Sequence, residues 1–233
     1  MPGPTAPPVG TRYSVGVNPQ SNGQDLAFLV GPTTPPAGAV TIQPGPYSVR
    51  EATAANPPGT TFWLAPGIHA GTDLAGTDVF AQIQAKDANT YIGHPDAVLD
   101  GLNKARKNFT SGANVTLKYL HIRNFRPPND EYSINPDSRP GWTYFGLHIH
   151  DCDNGINLGS NSRLSYSYIH DMAQYAYATY GSPQGAARIN AVDNVEVDHV
   201  EAHDCGKLER EYTIVPGSGG PLGVVSSSPD AKG

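Results

Sequence analysis

Asn114–Phe125 reads NVTLKYLHIRNF, and the same twelve-place pattern returns at Gly141–Cys152 (GWTYFGLHIHDC), Asn161–Met172 (NSRLSYSYIHDM) and Asn194–Cys205 (NVEVDHVEAHDC). Place four holds Leu117, Tyr144, Leu164 and Val197; place nine holds Ile122, Ile149, Ile169 and Ala202. Place ten holds Arg123, His150, His170 and His203, and place eleven Asn124, Asp151, Asp171 and Asp204. Place twelve closes the pattern with Phe125, Cys152, Met172 and Cys205, and a looser copy starts at Asn89 (NTYIGHPDAVLD). The five starts are 25, 27, 20 and 33 residues apart. Imperfect repeats of this size, one pattern per unit, are the mark of a solenoid.

The period inside the unit selects the kind of solenoid. Val115, Leu117, Leu120, Ile122 and Phe125 are apolar, while Thr116, Lys118, His121 and Arg123 fall between them. This is two short alternating strands with a phase slip at Tyr119, not a helical stripe. Gly155–Gly159 (GINLG) supplies a third strand. Three strands and three turns make one rung of a right-handed parallel β-helix, an all-β fold whose like strands stack about 4.8 Å apart. Equal places then form columns, the inward ones apolar.

Composition agrees. The 233 residues include 26 Gly and 22 Pro with only 15% charged, which suits a turn-rich all-β chain. Net charge −6 and a pI near 5.7, with no Lys/Arg run, argue against a nucleic-acid partner. No apolar run reaches the ~18 residues of a membrane span, and no secretory signal is visible at Met1. Cys152 and Cys205 occupy the same place two rungs apart, so about 9–10 Å would separate them. That is too far for a disulfide, and both are expected as buried thiols.

Residues 1–12 read as a Pro/Gly linker, 13–206 as the β-helix domain and 207–233 as an irregular tail. Tyr13–Val17 is an expected short strand, and residues 18–46 are punctuated by Pro and Gly around the apolar stretches Leu26–Val30 and Ala39–Ile42. Ser48-Val-Arg-Glu51 has the form of a capping box opening a helix to about Ala55, stopped by Asn56-Pro57-Pro58. Two polar insertions, Arg126–Pro140 and Ser182–Ala187, are expected as loops between strands. No C-terminal cap is visible after Gly206, so the chain is either a fragment or covered there by another subunit in a trimer or larger assembly.

The helix followed by PGTTFWLAPGIH (Pro58–His69) resembles the start of pectate-lyase-like β-helix proteins, and YIGHPDAVLDG their early coils. The resemblance spans about residues 40–206. It implies a short helix capping the N-terminal end of the solenoid at about 40–60, and a face that meets polysaccharide. Place eleven looks like the asparagine ladder of that superfamily, with Asp at three of four positions. The motif set of the polygalacturonase-type hydrolases is absent.

Chemistry is expected on the outward face formed by places eight and ten. Arg123, His150, His170 and Tyr168 are the candidate catalytic residues: Arg123 would neutralise a uronate carboxylate while a neutral His or Tyr168 takes the proton. His121, His148, His203 and Glu201 are the candidate substrate-binding residues. No cofactor and no metal is expected, because in-line stacking would give a row of imidazoles where zinc takes a tetrahedron. Two functions remain open: a carbohydrate-active, lyase-like protein, or a non-catalytic glycan-binding or structural module such as a virion tail or adhesin. Either would be extracellular or virion-associated, with a polysaccharide or cell-surface glycan as partner.

Overall fold

The computed structural model of the chain describes residues 12–14, 27–72, 82–125, 132–137, 139–173, 175–178 and 192–205. Residues 1–11, the expected 182–187 insertion and the 207–233 tail lie outside the described residues.

The described chain is an all-β parallel solenoid with one helix. Each full rung crosses three sheets. Sheet I stacks Val40–Ile42, Thr61–Leu64, Thr90–Gly93, Thr116–Lys118, Thr143–Phe145, Arg163–Ser165 and Glu196–Asp198. Sheet II stacks Gly45–Pro46, Gly67–Ala70, Ala97–Asp100, His121–Arg123, His148–His150, Tyr168–His170 and Glu201–His203. Sheet III stacks Ile83–Gln84, Phe109–Thr110, Tyr132–Asn135, Asn154–Asn157 and Tyr177–Ala178. Neighbours within all three are parallel. A short antiparallel pair, Arg12–Ser14 with Ala27–Leu29, stands apart from them.

The four aligned repeats pair in the expected register. Leu117, Tyr144, Leu164 and Val197 are successive partners, as are Ile122, Ile149, Ile169 and Ala202. Apolar side chains from all three sheets share one core, with Ile122, Ile134, Tyr144, Ile149 and Ile156 fully enclosed. Cys152 and Cys205 form no disulfide, and each Sγ donates to the carbonyl of the His two residues earlier; Cys152 is a buried core member as expected, whereas Cys205 is only half-buried against the core.

Backbone corners explain the period. Places one, six and eleven of every aligned copy have positive φ, from 48° to 81°. Place one is Asn114, Gly141, Asn161 and Asn194; place six is Tyr119, Gly146, Tyr166 and His199; place eleven is the Asn/Asp column. Asn, Asp and Gly are the residues that enter this left-handed region at least strain. The phase slip at Tyr119 is therefore a corner between sheets I and II.

Four expectations are corrected. The loose copy pairs one residue earlier than Asn89: Ala88 makes the corner, and Tyr91, not Ile92, lies beside Leu117. The longer turn through His94 and Asp96 then puts Leu99, not Ala97, beside Ile122. Within the expected 126–140 loop, Tyr132–Asn135 is a strand of sheet III whose first three residues are buried. The third strand after the second copy is Asn154–Asn157, slightly earlier than Gly155–Gly159. Finally, the helix α1 (Ser48–Ala55) forms without a capping box, since Tyr47 is its N-cap at φ 55° and no side chain caps it.

Ser48 is instead tied to the sheet. Its Oγ lies 3.0 Å from His69 Nδ1, and His69 occupies the inward column continued by Leu99 and Ile122. Thr53, also on α1, bonds the Tyr91 hydroxyl at 2.9 Å while Val49 enters the core. No helix among the described residues is long and apolar enough to cross a membrane.

Two stability results follow. Tyr144 Oη is buried with no hydrogen-bond partner among the described residues, whereas Tyr91 Oη has Thr53 and Asn89. In urea unfolding, Tyr144→Phe should be neutral or stabilising, while Tyr91→Phe should cost about 1 kcal/mol. Burial of His69 lowers its pKa below 6.5, so the unfolded chain binds the proton more readily. Stability should fall as pH drops through and below 6.5, and His69→Gln should make that fall shallower in urea midpoints measured against pH.

Candidate functional site

Sheet II carries the face. In the first three of its repeat strands the central residue is buried and the flanking two are half-buried, so places eight and ten point away from the core; in the fourth, Glu201–His203, the central Ala202 is exposed. Register stacks His121, His148, Tyr168 and Glu201 in one column. Asp100, Arg123, His150, His170 and His203 stack in the other. All eight sequence-predicted site residues thus share one surface.

The rings stack along the solenoid. His121 and His148 lie 4.6 Å apart at 13°, His150 and His170 5.1 Å at 7°, and His170 and His203 5.4 Å at 15°. Ring faces are largely covered by other rings. The expected outward row of imidazoles is therefore a half-buried stack, with only 15% of the His150 side chain and 17% of His170 exposed.

Hydrogen bonds cross between the columns and between rungs. His121 Nε2 meets His150 Nε2 at 2.7 Å, His148 Nε2 meets His170 Nε2 at 3.0 Å, and Tyr168 Oη meets His203 Nε2 at 2.5 Å. In each pair a place-eight residue reaches the place-ten imidazole of the following rung.

The place-eleven carboxylates set the direction of these bonds. Asp151 accepts from His150 Nδ1 at 2.7 Å, Asp171 from His170 Nδ1 at 2.6 Å, and Asp204 from His203 Nδ1 at 2.8 Å. With Nδ1–H committed to a carboxylate, Nε2 carries the lone pair and accepts from the place-eight group. The asparagine-ladder expectation is corrected here. Asn124 bonds across rungs, its Nδ2 donating to Asp100 at 3.0 Å, whereas the three Asp residues hold the histidine preceding them. The amide stacks occur elsewhere, between Asn157 and Asn135 and between Asn194 and Asn161.

Charge is unevenly distributed on this face. Burial first, and then neighbouring imidazoles, lower the His121 pKa to about 4 and that of His148 to about 2, so both are neutral near pH 7. Burial likewise lowers the pKa of His170. Arg123 Nε donates to Asp100 at 2.8 Å with a third of its side chain exposed, and Asp100 is held below the usual carboxylate range by its Asn124, Leu102 and Arg123 donors against the opposing effect of burial. Asp151, Asp171 and Asp204 remain 37–57% exposed along the rim.

An aromatic ridge, not anticipated from the sequence, runs beside the imidazoles. Tyr119, Phe145, Tyr166 and His199 line the corner between sheets I and II, with centroids 5.6, 5.5 and 4.5 Å apart in turn. The sequence signal was place six, where Tyr119, Tyr166 and His199 recur. Phe145, one place earlier, fills the gap left where Gly146 makes the corner.

No protein-family model, curated protein or solved structure matches the chain. Sheet register, corners and side-chain chemistry are thus the basis for its function.

Because Asp171 sits at φ 52° and also holds His170, its two roles can be separated by substitution. Asp171→Ala should destabilise by about 1–2 kcal/mol, while Asp171→Asn, which tolerates the same backbone and keeps an acceptor oxygen, should lose less. Chemical denaturation of both variants measures this.

Proposed function

We propose that the chain is a glycan-recognition module that grips an uncharged, hydroxyl-rich saccharide along sheet II. The observation that carries it is an in-register double row of hydrogen-bonding side chains beside the Tyr119–Tyr166 aromatic ridge. From Asp100 to His203 the row spans four strand spacings, about 19 Å, enough for a short oligosaccharide. Imidazole edges, the Tyr168 hydroxyl, Arg123 and the rim carboxylates offer donors and acceptors to sugar hydroxyls. Aromatic rings at the corner offer apolar surface to sugar C–H groups.

Charge favours a neutral saccharide over a uronate polymer. Among the described residues the rim presents Asp151, Asp171, Asp204 and Glu201 against a single guanidinium, that of Arg123. A polyanion laid along the row would meet like charge on each of the last three rungs.

A lyase is the second reading, favoured by one specific arrangement. The Asp151–His150 and Asp171–His170 pairs leave Nε2 in the form a general base needs, and Arg123 could face a substrate carboxylate. Both Nε2 atoms already accept from a neighbouring ring, so a base role requires that ring to move. The fold belongs with right-handed, pectate-lyase-like β-helices in this proposal, with α1 as the N-terminal cap. Glycan recognition places the protein outside the cell or on a virion.

A binding screen of neutral and uronate polysaccharides, with ultraviolet absorbance reporting unsaturated products, separates the readings. Recognition predicts binding of a neutral glycan without turnover, weakened roughly 2- to 10-fold by Tyr166→Ala. Binding confined to uronates, with unsaturated product lost in His170→Ala, would replace recognition with the lyase.

A further inference from the structure

Three imidazoles on this face converge in a way that sugar recognition does not require. His121 and His148 lie on adjacent rungs at place eight, and His150 lies across from them at place ten. Residues two apart on a strand are about 6.5–7 Å apart, and adjacent rungs about 4.8 Å. The three Cα atoms therefore form a triangle, and the side chains lean inward over it. One ring nitrogen from each lies within 4.8 Å of the other two. The in-line row that argued against a metal in the sequence is replaced by a converging set.

We propose that His121, His148 and His150 form a binding site for a divalent transition-metal cation of borderline softness, with zinc as the reference ion. Three neutral imidazoles without a thiolate suit zinc, cobalt, nickel or copper and not calcium or magnesium, which take oxygen ligands. Three protein ligands leave a coordination position for water or a ligand oxygen.

The surroundings are those of a metal site. Asp151 accepts from His150 Nδ1, which fixes that ring with its Nε2 lone pair toward the cluster. Such a carboxylate behind a ligating histidine fixes its tautomer and raises its basicity. His121 Nε2 and His150 Nε2, 2.7 Å apart, share one proton between them. Two nitrogens on a common zinc ion, each about 2.0–2.1 Å from it, stand about 3.3 Å apart at a tetrahedral angle. Opening that pair by roughly half an ångström admits the cation. The shared proton then moves to His121 Nδ1, so coordination needs no net proton release. His148 must also release the Nε2 contact it makes with His170. All three side chains are half-buried, so the set is pre-arranged by its neighbours rather than free in solvent. The inference does not rest on glycan recognition, although the site shares imidazoles with that row, and it is tested without sugar.

The full chain, stripped with chelator, is titrated with Co(II) and Zn(II) by calorimetry and visible absorption. One equivalent should bind at micromolar concentration or tighter, with cobalt d–d bands that zinc abolishes and calcium and magnesium do not. His121→Gln with His150→Gln should weaken binding at least 100-fold. Asp151→Ala should weaken it 10- to 100-fold. His94→Gln, in a separate turn beside Asp96, should leave it unchanged. Histidine ¹⁵N spectra of the unaltered chain give a readout that survives any misfolding of variants: zinc should move the resonances of His121, His148 and His150. No stoichiometric binding by about 100 μM metal, binding untouched by the double variant, or shifts confined to His94 and His199 would overturn the proposal.

Discussion

Parallel stacking in strict register is the constraint on which this molecule depends. A coil that crosses three sheets can repeat only if the backbone turns at the same places each time, and here it turns through left-handed corners at places one, six and eleven. Each corner costs strain for an ordinary side chain and little for Asn, Asp or Gly. The spacing of corners fixes three-residue strands. Three-residue strands with one inward residue fix a core of single-file columns. A one-place slip would exchange Ile149 for His148 or His150 and carry imidazoles into the core.

The same constraint builds the functional face. Because Asp tolerates the corner after sheet II, a carboxylate stands immediately beyond each place-ten histidine, within reach of its Nδ1. Repetition then multiplies one Asp–His unit into three, and stacking brings the place-eight group of one rung to the next unit's Nε2. Polar side chains that would be separate on a surface strand become a half-buried network in which each imidazole orients its neighbour. Two consequences are a row of directed donors and acceptors and the convergence of His121, His148 and His150.

The columns were legible in the sequence because the period of two within strands and the recurrence of Ile, Leu and Asp survive any change of loop length. Membership of the face was legible for the same reason. Less legible was Tyr132–Asn135, where a strand hides in a polar, proline-rich insertion that departs from the pattern. The register of the Asn89 copy departs from its letters because Ala88 makes its first corner and the turn before Ala97 is three residues longer. Ser48 has the spacing of a cap but faces a buried His69, a partner 21 residues away that no local rule names. The diagonal pairing of imidazoles was invisible because it depends on side-chain reach across rungs rather than on column membership. The aromatic ridge stayed hidden for a related reason: Phe145 stands one place out of line with the rings it joins.

The central claim is that stacked rungs hold these imidazoles in fixed diagonal pairs. Histidine-labelled, metal-free protein tests it through ¹⁵N–¹⁵N scalar coupling across hydrogen bonds. The account predicts coupling between His121 Nε2 and His150 Nε2 and between His148 Nε2 and His170 Nε2, with Nδ1–H tautomers at His150 and His170. Absence of both couplings, with those two rings as Nε2–H tautomers, would contradict it.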